Sequence, residues 1–491
     1  MDETKEKRFI TPKSEDFSAW YTDVILKAEL ADYSPVRGCQ VYRPYGFAIW
    51  EKIKKLLNDR IIATGHQNTY YPLFIPKSLL DREAEHVKGF APEVAWVTHG
   101  GGKKLDDPLA IRPTSEAIIG VMWAKWLTSY RDLPILENQW ANVVRWEKNT
   151  RPFLRTLEFL WQEGHTAHRT EEEAREEALK MLEQYRQLAC DDLALHVLSG
   201  IKSESERFAG AVDTYGIEAM MPDGKALQSG TSHFLGQNFA KAYDIKYLDE
   251  DNTEKLVYTT SWGVSHRIMG GMIMAHGDDK GLILPPKVAP IHVVIVPIMR
   301  DEGRSEVLEK CNSLAAALGE VNYNGEKITV KVDEREGFRP GYKFAHWELR
   351  GVPLRIEVGP RDIAQGEAVL ANRLSGEKRK LQVDYATFAL DSESVMRSLE
   401  EMQAALYERC RKEMMGRVFE VESYAEFKEV IAEGRGFAMA PWDGSAETEA
   451  RVKEETTATT RVLLSDFPGN EVKCLFSEDP AKRFAYFAAS Y

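Results

Sequence analysis

The chain is poor in cysteine, with five scattered through 491 residues. So few, and an odd number, exclude a disulfide framework. Long apolar runs are missing as well. The longest, Ile291 to Met299, is interrupted by Pro297 and falls far below the roughly 20 residues that cross a bilayer. The first residues, MDETKEKRF, are charged and contain no apolar core, so no secretory leader is expected. A cytoplasmic location without a membrane partner follows by default. Repeats and low-complexity tracts are absent. An excess of basic charge is also lacking, since 64 Lys and Arg face 77 Asp and Glu. That balance does not exclude nucleic acid, because a local basic face can hold phosphates while the remainder repels them.

What is present is the composition of a globular protein, of a length that suits about three domains. The segment with most chemistry is Val143 to His165, VVRWEKNTRPFLRTLEFLWQEGH. Arg145 and Glu147 lie two apart and would share one face of a strand. Lys148 to Pro152 reads as a polar turn, and Phe153 to Gln162 as the returning strand of a hairpin. Arginine donates bidentately and stays charged, which suits phosphate or carboxylate. A salt-bridged surface hairpin would use the same residues, so the rest of the chain must decide.

Before this segment, a helix is expected over Phe17 to Leu30. A second follows Pro44, with Trp50, Ile53, Leu57 and Ile61 at helical spacing. Thr69 to Ile75 reads as a strand carrying Pro72, hence at an edge or an interface. Helix and strand together suit a dimerisation unit or, equally, an ordinary core pair. Thr114, Ser115 and Glu116 open a helix in the manner of a cap. After the hairpin, Thr170 and Glu173 form a capping box for a helix through Tyr185 and Leu188. Residues 208 to 271 return to strands and glycines. There Gln228, Thr231 and His233, then Trp262, Gly263 and Arg267, place polar groups where a ligand can approach closely.

Leu284-Pro-Pro286 marks a boundary. Beyond it strands and helices alternate, implying an α/β domain with largely parallel strands. Its second half, Arg335 to Lys380, is dense in basic residues. A helix from Ser392 leads into a last region that ends on aromatics, which suggests docking.

Taken in order, IRPTSE, VVRWE, FLRTLEFLWQEGH, QSGTSHFLGQNF, TSWGV, HGDDKGLILPP and WELRGVPLRIEVGPRD resemble the class II aminoacyl-tRNA synthetases, and among them the prolyl-tRNA synthetases. The resemblance covers essentially the whole chain. It implies an α+β catalytic domain over 1–284, an antiparallel sheet flanked by helices. An α/β anticodon-binding domain over 285–388 and a small α+β C-terminal domain over 389–491 would follow. It implies activation of L-proline by ATP, with Mg2+, transfer to tRNA(Pro), and a homodimer built through residues 44 to 76. By similarity, Arg145 and Arg267 are the catalytic cations. Glu147, Arg155, Phe159, Gln228 and Thr231 join them around ATP. Thr114, Glu116, Trp161, His233, Trp262 and Gly263 form the proline pocket with Arg145, while Phe90 and Glu93 close over it. The Lys148 to Pro152 turn would meet the tRNA acceptor end. Glu348 and Arg361 are candidates for anticodon contacts, chemically apt for base amino groups and guanine acceptors.

The sequence departs from the family in two places. The glycines after Arg267 are not at the usual spacing. The C-terminal region keeps only Cys474 of the four cysteines that hold zinc in relatives, and one thiol cannot close a tetrahedral site, so no zinc is expected. His165 to Trp262 leaves no room for the editing module that some relatives insert, so proofreading would fall to a separate trans-editing protein. The threonine enzyme is a poorer match, because its active-site zinc needs a cysteine that the matching region lacks. A catalytically inactive tRNA-binding or regulatory paralogue would usually have lost the phosphate-gripping arginines. Arg145, Arg155 and Arg267 are all present.

Overall fold

The computed structural model describes residues 10–86, 93–298, 303–464 and 472–491. Helix α1, Phe17–Lys27, begins where the Asp16 carboxylate accepts from the Ala19 amide, and stops short of the expected Leu30. Helix α2, Pro44–Ala63, buries Ile49, Trp50, Ile53, Leu57 and Ile61, the stripe that its periodicity predicts. The strand expected over Thr69 to Ile75 does not form as one piece. Pairing occurs at β1, Gln67–Asn68, and resumes only at Phe74–Pro76. Pro72 between them has no amide to donate.

Helix α3, Glu116–Trp126, precedes the two long strands β2, Ile135–Val144, and β3, Glu158–His168. The hairpin is therefore real, but its connection is longer than expected. Arg145 and Glu147 lie beyond β2 rather than on its face, and the return begins at Glu158 instead of Phe153. Phe153 takes a left-handed backbone with φ 58°. Its ring is fully buried against Tyr42 and His266, so packing rather than ladder bonding shapes this loop. The expected capping box of Thr170 and Glu173 opens helix α4, Glu171–Gln187. Strands β4, Leu198–Ile201, β5, Asp213–Met220, β6, Ala226–Gly236, and β7, Tyr258–Ser265, follow, then helix α5, Arg267–His276. The strands are ordered β1-β2-β3-β7-β6-β5-β4, and every pair but β1–β2 is antiparallel. Gly164 is required by this sheet: a Cβ there would sit 2.0 Å from the Trp262 ring. In α5, Gly270 and Gly271 let Leu154, Tyr21 and Leu227 approach closely, which accounts for glycines at that unusual spacing.

The next unit holds β8, Val293–Pro297, α6, Arg304–Leu318, β9, Val330–Val332, α7, Pro340–Leu349, and β10, Leu354–Val358. Strands β11, Glu367–Asn372, β12, Lys378–Asp384, and β13, Ala389–Leu390, complete it. The order is β9-β8-β10-β11-β12-β13. Only β8 pairs in parallel, with β9 and β10, while the others are antiparallel. The expectation of largely parallel strands thus fails for the second half. Its connections are too short for the crossover of a dozen or more residues that a parallel neighbour needs.

Helix α8, Ser392–Met415, leads to β14, Val418–Glu420, α9, Tyr424–Ala432, β15, Phe437–Trp442, α10, Ala446–Thr456, β16, Thr459–Leu463, and β17, Arg483–Ala488. Phe427, Phe476 and Phe487 pack with ring centroids 4.9–5.5 Å apart, and Cys474 is buried in the same cluster. Packing thus supplies what holds this region together. Its strands run β14-β15-β17-β16 and join β4 through Leu463 opposite Ile201. One eleven-stranded sheet therefore passes from the catalytic region into the C-terminal region among the described residues. The chain end docks as expected. The Tyr491 hydroxyl donates to Asp223 at 2.6 Å, and its amide donates to the Ala226 carbonyl.

Candidate active site

Strand β3 builds one wall by simple alternation. Successive residues point to opposite faces, and Phe159, Trp161, Glu163 and His165 all face one cleft. Strand β6 forms the floor. Its pairing with β5 slips between Ile217 and Glu218, leaving Ser229 as an extra residue. Such a bulge changes parity, so that Gln228 and the odd-numbered Thr231 and His233 line the same cleft. Strand β7 adds Ser261, Trp262 and Gly263, and the first turn of α5 adds Arg267. Thr114 and Glu116, at the start of α3, come in from the side.

Eleven of the residues expected at the site thus meet in one cleft: Thr114, Glu116, Arg145, Phe159, Trp161, Gln228, Thr231, His233, Trp262, Gly263 and Arg267. Glu93, Glu147 and Arg155 line an adjoining hollow that shares Arg145. Phe90 lies outside the described residues. Arg155 sits 3.6 Å from Glu147 with both partly exposed, so the salt-bridged reading of this segment holds at that one arginine. Glu163 and His165 were missed, although the period of two that selects Phe159 and Trp161 also selects them. Glu206, Arg207 and Phe208 were missed too, and no periodic signal marks that loop.

The cleft is electrostatically uneven. Arg145 reaches solvent through the opening. Its Nε donates to the Pro113 carbonyl at 3.0 Å, and its guanidinium lies over the rings of Phe159 and Trp161 at 5.5 and 5.3 Å. Arg267 donates from Nε to the Leu154 carbonyl at 2.9 Å. Neither forms an ion pair with a carboxylate within 4.0 Å among the described residues. Burial, with the positive charges of Arg155 and Arg145 beside it, lowers the Arg267 pKa to about 10. Loss of hydration lowers that of Arg145 as well, against the pull of Glu116, Glu163 and Glu147. Two cations are thus held where an anion would relieve both.

Deeper in, Glu163 is buried yet fully bonded. It accepts from Ser115 at 2.6 Å, from Gln139 at 2.7 Å, and pairs with His165 at 3.1 Å. Burial alone would raise its pKa, but the His165 and hydroxyl and amide donors prevail and lower it. His165 answers in the opposite sense. Burial opposes its charge, but Glu163, Glu116 and Glu137 together raise its pKa. The Thr114 hydroxyl donates to Glu116, which is also buried. His233 bonds through Nδ1 to the Thr214 hydroxyl at 3.0 Å and stacks on Phe208. Burial, then the charges of Arg145 and His165, push its pKa down to about 3, so it is neutral near pH 7.

The basic second half of the central unit is largely neutralised within the protein. Arg335, Arg355, Arg373, Lys378 and Lys380 pair with Asp333, Glu348 and Glu357, Asp278, Glu357 and Glu367. Glu348 is held by Arg355 at 2.9 Å, whereas Arg361 is exposed without an ion pair among the described residues. The described residues contain no group of three His, Cys, Asp or Glu suited to a metal, and no helix among them is long and apolar enough to cross a membrane.

Comparison with known proteins gives the class. Residues 96–276 match the family described as tRNA synthetase class II core domain (G, H, P, S and T), 292–390 an anticodon binding domain, and 424–491 a prolyl-tRNA synthetase C-terminal region. The architecture is that of a class II aminoacyl-tRNA synthetase carrying an anticodon-binding domain. Over 484 residues, 98% of each chain, it is 50% identical to a proline–tRNA ligase of Natranaerobius thermophilus. A proline–tRNA ligase of Symbiobacterium thermophilum is 51% identical over 99% of this chain and all of the relative, and one of Rubrobacter xylanophilus 52% identical over both full lengths. The chain belongs to the proline–tRNA ligase family.

Proposed function

We propose that the cleft activates L-proline with ATP and passes it to the 3′ end of tRNA(Pro). The observation that carries this reading is the pair of cations, Arg145 and Arg267, facing one cleft without an ion-paired carboxylate among the described residues. A proline carboxylate oxygen attacks the α-phosphorus, the bond to pyrophosphate breaks, and prolyl-adenylate remains. A terminal ribose hydroxyl of tRNA then attacks the carbonyl, and AMP leaves. Negative charge grows on the α-phosphate in the first step, where fixed donors are most effective. Arg145 bridges carboxylate and α-phosphate, and Arg267 holds the nucleotide from the opposite side. Phe159 offers adenine a face, while Glu147 and Arg155 meet the outer end of the nucleotide. Mg2+ would accompany ATP as its counter-ion, and Gln228 and Thr231, on the floor of the cleft, would be the neighbours able to offer it oxygen.

Proline's ammonium suits the buried carboxylate and hydroxyl of Glu116 and Thr114. Its ring suits Trp161, Trp262, Gly263 and neutral His233, with Glu93 at the entrance. Such a pocket discriminates a methylene by only ~1–3 kcal/mol, so alanine and cysteine would enter, and a separate trans-editing protein is the natural complement. The units 1–284, 285–388 and 389–491 would divide catalysis, anticodon reading and support. Arg361 is the better anticodon candidate, since Glu348 is engaged by Arg355. Tyr33, Val36, Phe47, Ile62, Tyr70 and Phe74 are exposed around α2, which supports a homodimer through residues 44 to 76. A cytoplasmic setting fits a tRNA substrate.

Proline-dependent exchange of pyrophosphate into ATP tests the reading. Exchange that depends on proline is expected. None with proline, or stronger exchange with threonine, would sink it.

A further inference from the structure

The cleft has a wall whose foundation lies in another part of the chain. Residues 202–212, between β4 and β5, carry Glu206, Arg207 and Phe208 into the cleft, and Phe208 stacks on His233 with ring centroids 4.7 Å apart and planes 30° from parallel. The loop is tied to its own region by the Lys202 amide on the Thr214 carbonyl, the Phe208 amide on the Thr214 hydroxyl and Asn238 on the Gly210 carbonyl. The side-chain ties of Ser203 and Glu206 at its root, however, lead to the C-terminal region. The Ser203 hydroxyl donates to Glu449 at 3.0 Å and accepts from Thr460 at 2.8 Å. The Thr460 hydroxyl also lies against Glu449, so its one proton is shared between Ser203 and that carboxylate. Ser203 accepts from the Glu206 amide at 3.3 Å as well, linking that contact to the part of the loop lining the cleft. Arg461 approaches Glu206 at 3.7 Å and grips Glu218 of β5 with its Nη2, at 3.0 and 3.1 Å from the two oxygens. Lys202, at the loop's first position, donates to the same Glu218. Ser203, Glu449, Thr460 and Arg461 are all at least 95% buried.

We propose that Arg461, Glu449 and Thr460 of the C-terminal region are positioning residues for the amino-acid pocket, acting through Ser203, Glu206 and Glu218 on the loop that bears Phe208. This rests on the proline-activating role above and adds a task for the C-terminal region: it holds a wall of the pocket rather than a ligand of its own. None of the three touches the cleft. Their influence should therefore appear in how well the small substrate is held and not in the nucleotide clamp, which stands on Arg145 and Arg267. The geometry also says why the sheet is continuous. Leu463 opposite Ile201 fixes β16 against β4, which places Thr460 and Arg461 beside the loop that leaves the end of β4.

The test uses the full-length chain with Arg461→Met and, because that change takes a cation from both Glu218 and Glu206, the milder Ser203→Ala. Two readouts are taken from each: amide hydrogen exchange of residues 203–212 against that of β2 and β3, and the KM for proline against the KM for ATP in pyrophosphate exchange. Expected in both variants are at least tenfold faster exchange confined to 203–212 and a severalfold rise in the proline KM, with the ATP KM within twofold of the parent. Unchanged exchange of 203–212 in the folded Ser203→Ala variant would overturn the proposal. So would faster exchange with an unaltered proline KM, or parallel rises in both KM values, which a merely structural role would give. If the parent itself lacks proline-dependent activity, the functional reading fails, while the hydrogen-exchange arm still decides whether the C-terminal region holds the loop.

Discussion

Two clusters of charge lie along strands β5 and β6 and have opposite designs. In one, Lys202 and Arg461 converge on Glu218, with Thr459 accepting a further guanidinium bond. All four are at least 93% buried, and the cations are matched within the protein. In the other, Arg145 and Arg267 face the cleft with backbone carbonyls and aromatic rings for company. The closed cluster serves assembly: it joins chain segments 243 residues apart. The open one carries a standing electrostatic cost, expressed in lowered arginine pKa values, that a bound anion removes. Charge count does not distinguish structural from functional clusters here; closure does.

The sharpest way to break this comparison is to remove the acid from the closed cluster. Glu218→Ala leaves Lys202 buried without its carboxylate and Arg461 with only Glu206 at 3.7 Å, and losing one partner of a buried pair costs about 3–5 kcal/mol. Urea unfolding should show a loss of that size. A loss below about 1 kcal/mol would mean that water reaches the cluster and that it is not closed. In the open cluster the prediction reverses. Arg267→Ala should lower the rate of pyrophosphate exchange by ~10²–10³-fold, the usual effect of removing one donor to developing charge. Its melting temperature should stay level or rise, since a strained cation has been deleted. A clear fall in stability would place Arg267 among the structural charges.

Next in size is the response to ligand. A nonhydrolysable prolyl-adenylate analogue at 100 times its Kd should stabilise the parent by about 2.7 kcal/mol, from mass action alone. The same analogue should stabilise Arg145→Ala much less at equal concentration. Equal stabilisation of both, read by thermal denaturation, would show that Arg145 does not hold the anion.

The contrast between the clusters also explains what the sequence could and could not disclose. Repeating patterns were legible: the α2 stripe, the Thr170 and Glu173 box, and the long hairpin all rest on local rules. Most of the cleft was legible through resemblance, because its residues sit in short runs of characteristic sequence. Glu163 and His165 were within reach of the strand period and were passed over, since a Glu two residues from a His reads equally well as a surface pair. The closed cluster was out of reach. Lys202, Glu218 and Arg461 belong to no common periodicity, and only the join of β16 to β4 brings Arg461 in. Pro72 and Phe153 show the same limit on a smaller scale, where a missing donor and a buried ring override the expected strand.

The smallest predicted effect concerns pH, and it sharpens the boundary between the clusters at Glu163 and His165, which are closed yet line the cleft. His165 has its pKa raised above 6.5 in the fold, so its protonated form adds stability that is complete below pH 6.5 and fades as pH rises through the raised value. Glu163 has its pKa lowered below 4.5, so its contribution is complete above pH 4.5 and fades as pH falls through the lowered value. Between those limits both contributions are present. The stability lost in His165→Gln, relative to the parent, should therefore be greatest near pH 5.5 and smaller at pH 8.5, the direction set by the raised pKa. Urea unfolding of both proteins at the two pH values reads the difference directly. A deficit that grows toward alkaline pH would mean that neutral His165 is the form the fold prefers. The pair would then be a hydrogen bond between neutral imidazole and carboxylate, and the floor of the cleft would carry one more negative charge toward the substrate ammonium than an ion pair leaves there.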